Sequence, residues 1–505
     1  MTTTLSTSPT RATRASRLPS ASKRWWILAV LGIAQLMVVL DATVVNIALP
    51  TAQHDLAFSD NARQWIVTAY ALAFGSLLLL GGRIADVMGR KWVFLVGMLG
   101  FALASAVGGA ALNVGMLIGA RAVQGAFAAL LAPAILSLLT TTFSEPRERA
   151  KAFGVFGAIA GAGASVGLLL GGFLTQYANW RWTLFVNLIF AAVGLVGGWL
   201  LLDHSKAARR AKLDVPGTVL VSAGLFALVY GFSHAETSGW GNGFTIGLLV
   251  AAAVLLTAFV LLQRRVANPL LPLRVVLDRN RGGAFIAMFA ASAGLFAVFL
   301  FLTFYLQSSL GYSAVRTGVA FLPMTGSLVV MASVASTVLV TRVGPKVLVP
   351  AGMLLAAVGM YLLTNIGLTS SYATHVLPSM VLLGLGLGLT FAPSFSVATL
   401  GVQASDSGVA SATVNTMQQV GGSVGTALLN TLAATAAATF ATDHIAQAAT
   451  PAGMRLVQAG AAIHSYTTAF WWAAGIYALG AVIVAIVLRP GIPAQPSEAT
   501  GGVVL

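Results

Sequence analysis

The sequence predicts an all-α integral membrane protein of fourteen transmembrane helices, two six-helix bundles with an inserted pair between them. Three observations carry this expectation. The 505-residue chain is 58% hydrophobic and only 8% charged, against about 25% charged residues in a soluble domain. Apolar runs of the length that crosses ~30 Å of hydrocarbon recur from end to end. The connecting segments alternate between strongly basic and nearly uncharged, as the positive-inside rule requires of a polytopic chain.

Taken in order, residues 1–24 form a polar tail with Arg11, Arg14, Arg17, Lys23 and Arg24. The apolar run that follows is longer than a signal-peptide core of about 7–15 residues, so it reads as a retained first helix. The expected spans are 25–49, 62–82, 92–112, 114–139, 152–176, 182–202, 215–234, 244–263, 283–307, 316–340, 347–367, 375–399, 408–435 and 469–488. With both termini in the cytoplasm, the inner segments hold 23 of the 28 Lys and Arg residues. Arg63, Arg181, Arg316 and Arg455 fall outside, and Arg121 falls within a span. The net charge of +15 is therefore a topology signal, with anionic lipid headgroups as secondary partners, and does not point to nucleic acid. The division expected is a cytoplasmic tail (1–24), an N-terminal six-helix bundle (25–202), an inserted helix pair with linkers (203–282), a C-terminal six-helix bundle (283–488) and a second cytoplasmic tail (489–505). The Ala- and Gly-rich composition fits the plasma membrane of a high-GC bacterium, and a monomer is expected.

Several classes of function are excluded. There are no cysteines, hence no disulfides or thiolate chemistry. None of the lysines follows a glycine, so no Walker-type nucleotide loop is present. The six histidines form no H-x-x-x-H pair, and no metal site is expected. An intramembrane enzyme needs a second acid or a nucleophile partner at depth, and the sequence offers one acid alone.

An internal echo supports the two halves. Gly89, Lys91 and Gly97 match Gly344, Lys346 and Gly352 at a constant offset of 255, with Thr341 where the first copy has Asp86. Repeats of six spans are a hallmark of transporter folds.

The residues that carry chemistry start with Asp41, the one acid well inside an apolar run. A charge there costs roughly 2.5–3.5 kcal/mol on insertion scales and is commonly functional. Arg121 sits at a similar depth in span 4. The two suggest a direct or water-mediated pair in which the arginine favours the ionised carboxylate and burial the neutral one, as a proton carrier needs. The alternative is a structural ion pair that sets helix register. Asp86, with Gly82 one turn before it, ends span 2 on the side where span 13 begins near Asp406-Ser407-Gly408. A carboxylate there can accept from amides at a helix N-terminus, so Gly82, Asp86, Gly89, Arg90 and Lys91 are expected to act as a conformational latch. Gly163, Gly167 and Gly171, with Gly172, form a smooth stripe on span 5 for helix packing. Gln35, Asn46, Gln124, Asn187, Tyr305, Asn415, Gln418 and Gln419 are candidates to line a substrate cavity or to bond between helices. Trp65, Tyr70 and Gln307 are weaker candidates of the same kind.

These segments together resemble the major facilitator superfamily, and within it the fourteen-helix drug:proton antiporter family. Leu40-Asp41-x-Thr43-Val44-Val45-Asn46-x-Ala48-Leu49-Pro50 is similar to that family's span 1 signature. Gly82 to Lys91 resembles the superfamily's G-x-x-x-D-(R/K)-x-G-R-K loop, and Arg121-x-x-Gln124-Gly125 its span 4 motif. Trp180-Arg181-Trp182 before span 6 also fits. There are departures. Val87 replaces a basic residue, Gly163-Ala164 and Gly167-Leu168 stand where span 5 normally has Gly-Pro, and Asn187-Leu188-Ile189 lacks the proline often seen there. The resemblance implies the major-facilitator fold and proton-driven export of amphipathic, often cationic, drugs by alternating access. No cofactor beyond the proton gradient is implied, and the partners are small-molecule drugs, protons and the lipid bilayer. A dedicated exporter of one endogenous metabolite shares the same fold and coupling. A non-transporting membrane sensor is the remaining alternative, and an uptake symporter has the same architecture.

Overall fold

The computed structural model describes residues 21–58, 60–203, 214–267, 269–403, 406–445 and 450–491. Most of the N-terminal tail, the basic residues Lys206, Arg209, Arg210 and Lys212, and most of the C-terminal tail lie outside these.

The helices are α1 (Ala21–Leu56), α2 (Asp60–Met88), α3 (Arg90–Gly109), α4 (Val114–Thr142), α5 (Pro146–Tyr177), α6 (Trp182–Leu201), α7 (Val215–Ser238) and α8 (Gly243–Gln263). They continue as α9 (Arg279–Ser309), α10 (Val315–Val343), α11 (Pro345–Leu363), α12 (Tyr372–Thr399), α13 (Ser407–Asp443) and α14 (Pro451–Val487). All are long and apolar enough to cross a membrane when α5, bent by 45° between Arg147–Gly163 and Val166–Tyr177, counts as one span. Asn113, Asp214, Asn242, Asp278 and Thr450 cap five of these helices, each accepting a backbone N–H with its side chain.

Two six-helix bundles follow from which helices touch. In the first half α1 packs on α5 and α6, α2 on α4, and α3 on α4 and α6; in the second, α9 packs on α13 and α14, α10 on α12, and α11 on α12 and α14. The second set is the first shifted by eight helices. The glycine echo has a structural cause at the same place. Gly89 and Gly344 begin α3 and α11 with φ of 95° and 79°, a left-handed backbone that side chains resist. Gly97 then lies against Leu131 of α4, and Gly352 against Gly386 of α12, again 255 residues apart.

The halves meet along two seams related by the same shift. One joins α2 and α4 to α13; the other joins α10 and α12 to α5. The inserted pair α7–α8 lies outside the bundles, with α7 against α2 and α13. Leu79, Val221, Leu225, Ala412 and Val420 close that contact with buried side chains.

Two differences from expectation stand out. The spans expected at 408–435 and 469–488 leave 436–468 outside the membrane with no structure assigned; much of it is helical, as α13 continues to Asp443 and α14 starts at Pro451, each 37 residues. At 1.5 Å per residue each is about 55 Å long, well beyond one bilayer crossing. Ala-rich sequence favours a helix without being strongly apolar, and Phe440 stacks on His444 at 4.1 Å to hold the end together. The second difference is local. Wide π-helical turns interrupt α9 at Val298–Leu302 and Tyr305–Ser309, α10 at Ala335–Leu339, and open α12 at Tyr372–Val376. Among the described residues all four fall in the second bundle, where the halves are therefore least alike.

Close helix crossings test this packing. A Cβ at Gly386 would lie 2.5 Å from Gly352 O and 2.6 Å from Ala356 N, both backbone atoms that cannot swing aside. Gly386→Val should cost about 1–3 kcal/mol of stability by overpacking. It should lower the unfolding midpoint of the purified protein in detergent, whereas Gly326→Val, at a glycine with open space around it, should leave it near wild type.

Candidate functional site

Asp41 comes from the middle of α1, buried to 1% exposure. Its Oδ2 accepts from Arg121 Nη1 of α4 at 2.5 Å. Its Oδ1 accepts from Gln124 Nε2, one turn further along α4, at 3.0 Å and from Asn187 Nδ2 of α6 at 2.7 Å. The two amides are themselves held by Ser105 Oγ of α3, at 2.6 Å and 3.2 Å. Arg121 Nη1 also donates to Gln124 Oε1 at 2.9 Å. Arg121 stacks over the Tyr70 ring of α2, its guanidinium carbon 4.3 Å from the ring centroid. One carboxylate thus ties four helices of the first bundle together, with a fifth against its arginine. A charge this deep persists only when paired and hydrogen-bonded, and here it is both.

A second cluster lies at the other end of α2, where α13 begins. Asp86 Oδ1 accepts from Gly408 N at 3.1 Å, so the carboxylate meets the N-terminus of α13 and its positive dipole. Gly82 makes room: a Cβ there would sit 2.5 Å from Gly408 O. Arg90 Nη2 lies 3.7 Å from Asp86 and donates to Ser407 Oγ at 2.6 Å. Ser137 of α4 reaches Ser407 at 2.9 Å, and Arg274 of the α8–α9 linker pairs with Asp406 at 2.6 Å. Lys91 points elsewhere, donating to the Trp199 and Leu202 carbonyls at the C-terminus of α6. It fastens the first bundle internally.

The related seam is held differently. Thr341 stands where Asp86 stands in the first copy and, among the described residues, bonds within its own helix, to Val338 O. Instead Arg149 of α5, buried against the Phe153 ring, donates to Thr399 Oγ1 of α12 at 2.8 Å.

The glycines of α5 face two ways. Gly163, Gly167 and Gly171 lie against Val39, Thr43 and Val44 of α1. Gly154, Gly157 and Gly161 lie against Ser336 of α10, Ala392 of α12 and Leu328 of α10. Gly172 is buried.

The matching family model, described as Major Facilitator Superfamily, covers residues 31–426. The chain belongs to the major facilitator superfamily. It is a multi-pass membrane transporter and not an enzyme. The chain is 50% identical over 469 residues to the puromycin resistance protein pur8 of Streptomyces alboniger, covering 92% of each. It is 37% identical to the cephamycin export protein CmcT of Amycolatopsis lactamdurans, over 84% of this chain and 88% of that protein. The tetracenomycin C resistance and export protein of Streptomyces glaucescens is 35% identical, over 85% of this chain and 79% of that one. Among solved structures, the human organic anion transporter MFSD10 (TETRAN) aligns with a TM-score of 0.60 at 14% identity, over 91% of this chain and 99% of that one. That likeness concerns the fold.

Within this superfamily member, the polar residues expected along a cavity divide into groups. Gln124 and Asn187 belong to the Asp41 network. Tyr305 is wholly buried and donates to Gly367 O at 3.0 Å, fastening α9 to the α11–α12 loop. Asn415 donates back to Ser411 O within α13. Gln35 is buried, while Gln418 and Gln419 are half-buried. The Asn46 side chain lies outside the described ones. Ser105 and Arg149 were not anticipated. A serine in an apolar helix gives no signal in one sequence, and Arg149 reads there as one more basic loop residue.

Removing one partner of a buried ion pair costs roughly 3–5 kcal/mol, because it strands the other charge. Arg121→Ala should therefore destabilise the transporter strongly in chemical unfolding. Arg121→Ala combined with Asp41→Asn should recover most of that loss.

Proposed function

We propose that this chain exports amphipathic drugs or antibiotics, cationic ones among them, in exchange for protons, with both termini in the cytoplasm. The observation that carries the reading is the Asp41–Arg121 couple inside the first bundle.

The chemistry follows from its charge. With Asp41 ionised the couple is neutral; with Asp41 protonated the buried site carries one positive charge. A cation held about 10 Å away then meets a repulsion of about 1–2 kcal/mol at an effective dielectric near 20. Drug and proton thus oppose each other, which is the requirement for antiport. Protonation also turns one carboxyl oxygen from acceptor into donor. Asn187 Oδ1, buried with no hydrogen-bond partner among the described residues, can turn to accept it.

Drug binds from the cytoplasm while Asp41 is ionised. The bundles rock and open the site outward. A proton from outside then neutralises Asp41, releases the drug and resets the cycle. One charge crossing 100 mV supplies about 2.3 kcal/mol per proton. The contacts of Asp86 with Gly408 and of Arg149 with Thr399 hold the cytoplasmic ends of the two seams shut and must break for drug to enter. The stripes on α5 give it a smooth face toward α1 and another toward α10 and α12, along which movement at Asp41 reaches the second bundle.

A narrower reading, export of one endogenous metabolite, is favoured by relatives each named for a single antibiotic. A panel separates the two. Cells expressing wild type should accumulate less puromycin and fewer cationic dyes than control cells, and an uncoupler or Asp41→Asn should abolish the difference. Protection that survives both would refute proton coupling, and protection against one compound only would support the narrower reading.

The native chain has no cysteine, so a cross-link reports the latch directly. With the Ser137 and Ser407 hydroxyls 2.9 Å apart, Ser137→Cys/Ser407→Cys should oxidise readily, arrest transport and regain it on reduction. Full transport in the cross-linked state would exclude this seam as a gate.

A further inference from the structure

We infer that Tyr70 is a positioning residue for proton exchange: its ring face stands in for the counterion that Arg121 loses whenever Asp41 is neutral. The inference rests on the reading that Asp41 takes up a proton.

Arg121 is 2% exposed and cannot shed its own proton in any ordinary range. It therefore stays charged through the whole cycle. Asp41 balances it for half of that cycle only. When a proton binds an Asp41 oxygen, an O–H bond forms, the carboxylate charge is lost, and no electron moves. The guanidinium is then a buried cation without an anion, the arrangement that is most costly in an apolar interior.

Two groups remain beside it. Gln124 Oε1 accepts one N–H from Nη1 at 2.9 Å. Arg121 Nε is buried with no hydrogen-bond partner among the described residues. The Tyr70 ring lies under the guanidinium at 4.3 Å, itself only 4% exposed. An aromatic face attracts a cation through its quadrupole, and the attraction grows when water is excluded. It counts for most when Asp41 is neutral, because the ionised carboxylate otherwise takes up most of the guanidinium's field. Tyr70 is well fixed for this task. Its backbone closes on Gly125 of α4, one residue beyond Gln124, so the α2–α4 crossing that builds the first bundle also sets ring against guanidinium. The Tyr70 hydroxyl makes no hydrogen bond among the described residues. The ring is thus the part in contact.

The groups that titrate or carry charge around this point, among the described residues, are Asp41 of α1, Tyr70 of α2 and Arg121 of α4. Ser105 of α3, Gln124 of α4 and Asn187 of α6 complete the shell and carry none. Weakening the ring face raises the cost of the state with neutral Asp41 and charged Arg121. It hardly touches the paired state, where the carboxylate already balances the charge. The proton is then held less well, and more acid is needed to load it.

Infrared titration of the full-length protein in detergent tests this without any substrate. The signal is the protonated-carboxyl band that Asp41→Asn removes. Tyr70→Phe should keep its midpoint close to wild type, because the ring remains. Tyr70→Leu should move the midpoint toward acid by about one pH unit, a tenfold weaker hold on the proton. A series of singly, doubly and triply fluorinated phenylalanines at position 70 weakens the ring face at nearly constant size. The midpoint should step toward acid along that series, and this holds the test open even where Tyr70→Leu does not fold. An unmoved midpoint across the fluorinated series overturns the proposal, as does a shift in Tyr70→Phe as large as that in Tyr70→Leu. Absence of any Asp41-dependent band in wild type overturns the proton-carrier reading as well, so the two failures are distinguishable.

Discussion

A carboxylate buried beside a guanidinium inside the first bundle is the constraint around which the rest is arranged. Neither group is tolerable there alone. Asp41 needs Arg121, and the pair needs Gln124, Asn187 and Ser105 to satisfy the remaining lone pairs and protons. Those requirements draw α1, α3, α4 and α6 to one point and fix their register. The same requirements make the site a sensitive place to change a charge. Adding one proton alters the balance at the centre of four helices at once.

How a change there could reach the other bundle is a matter of surfaces. The helix that carries Asp41 lies along the smooth face of α5, and the opposite small-residue face of α5 lies on α10 and α12. Glycine contacts of this kind bring backbones close without interlocking side chains, which leaves sliding inexpensive. At the end where α13 begins, the seams are fastened by polar contacts that are few and directional: Asp86 to Gly408, and Arg149 to Thr399. The two seams are related by the same shift of helices yet use different chemistry, a carboxylate on a helix N-terminus in one and an arginine on a threonine in the other.

Much of this was legible in the sequence, for physical reasons. Spans are read from hydropathy because the bilayer core forbids unsatisfied backbone. Asp41 and Arg121 announce themselves because charges are costly in apolar runs. The place of Asp86 near the start of α13 follows from counting spans. Less was legible where the answer depends on which way a helix face points. One sequence cannot say whether Gln124 and Asn187 line a cavity or bond between helices; the fold sets both on Asp41, while Tyr305 and Asn415 bond to backbone carbonyls. Ser105 carries no signal at all, since serines are ordinary in membrane helices. Arg149 was hidden among the positive charges that set topology, because α5 begins at Pro146 and not at the expected residue 152. The full length of α13 and α14 was not legible because hydropathy marks only the part of a helix long and apolar enough to span a bilayer.

The most direct test of the central claim is to count protons when a substrate binds. Puromycin, as its hydrochloride, would be added to the purified transporter in lightly buffered detergent over a range of pH, with a pH-sensitive dye as reporter. If ionised Asp41 and bound drug favour each other, wild type must release protons on binding, most strongly where Asp41 is half protonated, and Asp41→Asn must release none. Binding without proton release in wild type, or equal release from Asp41→Asn, would contradict the account.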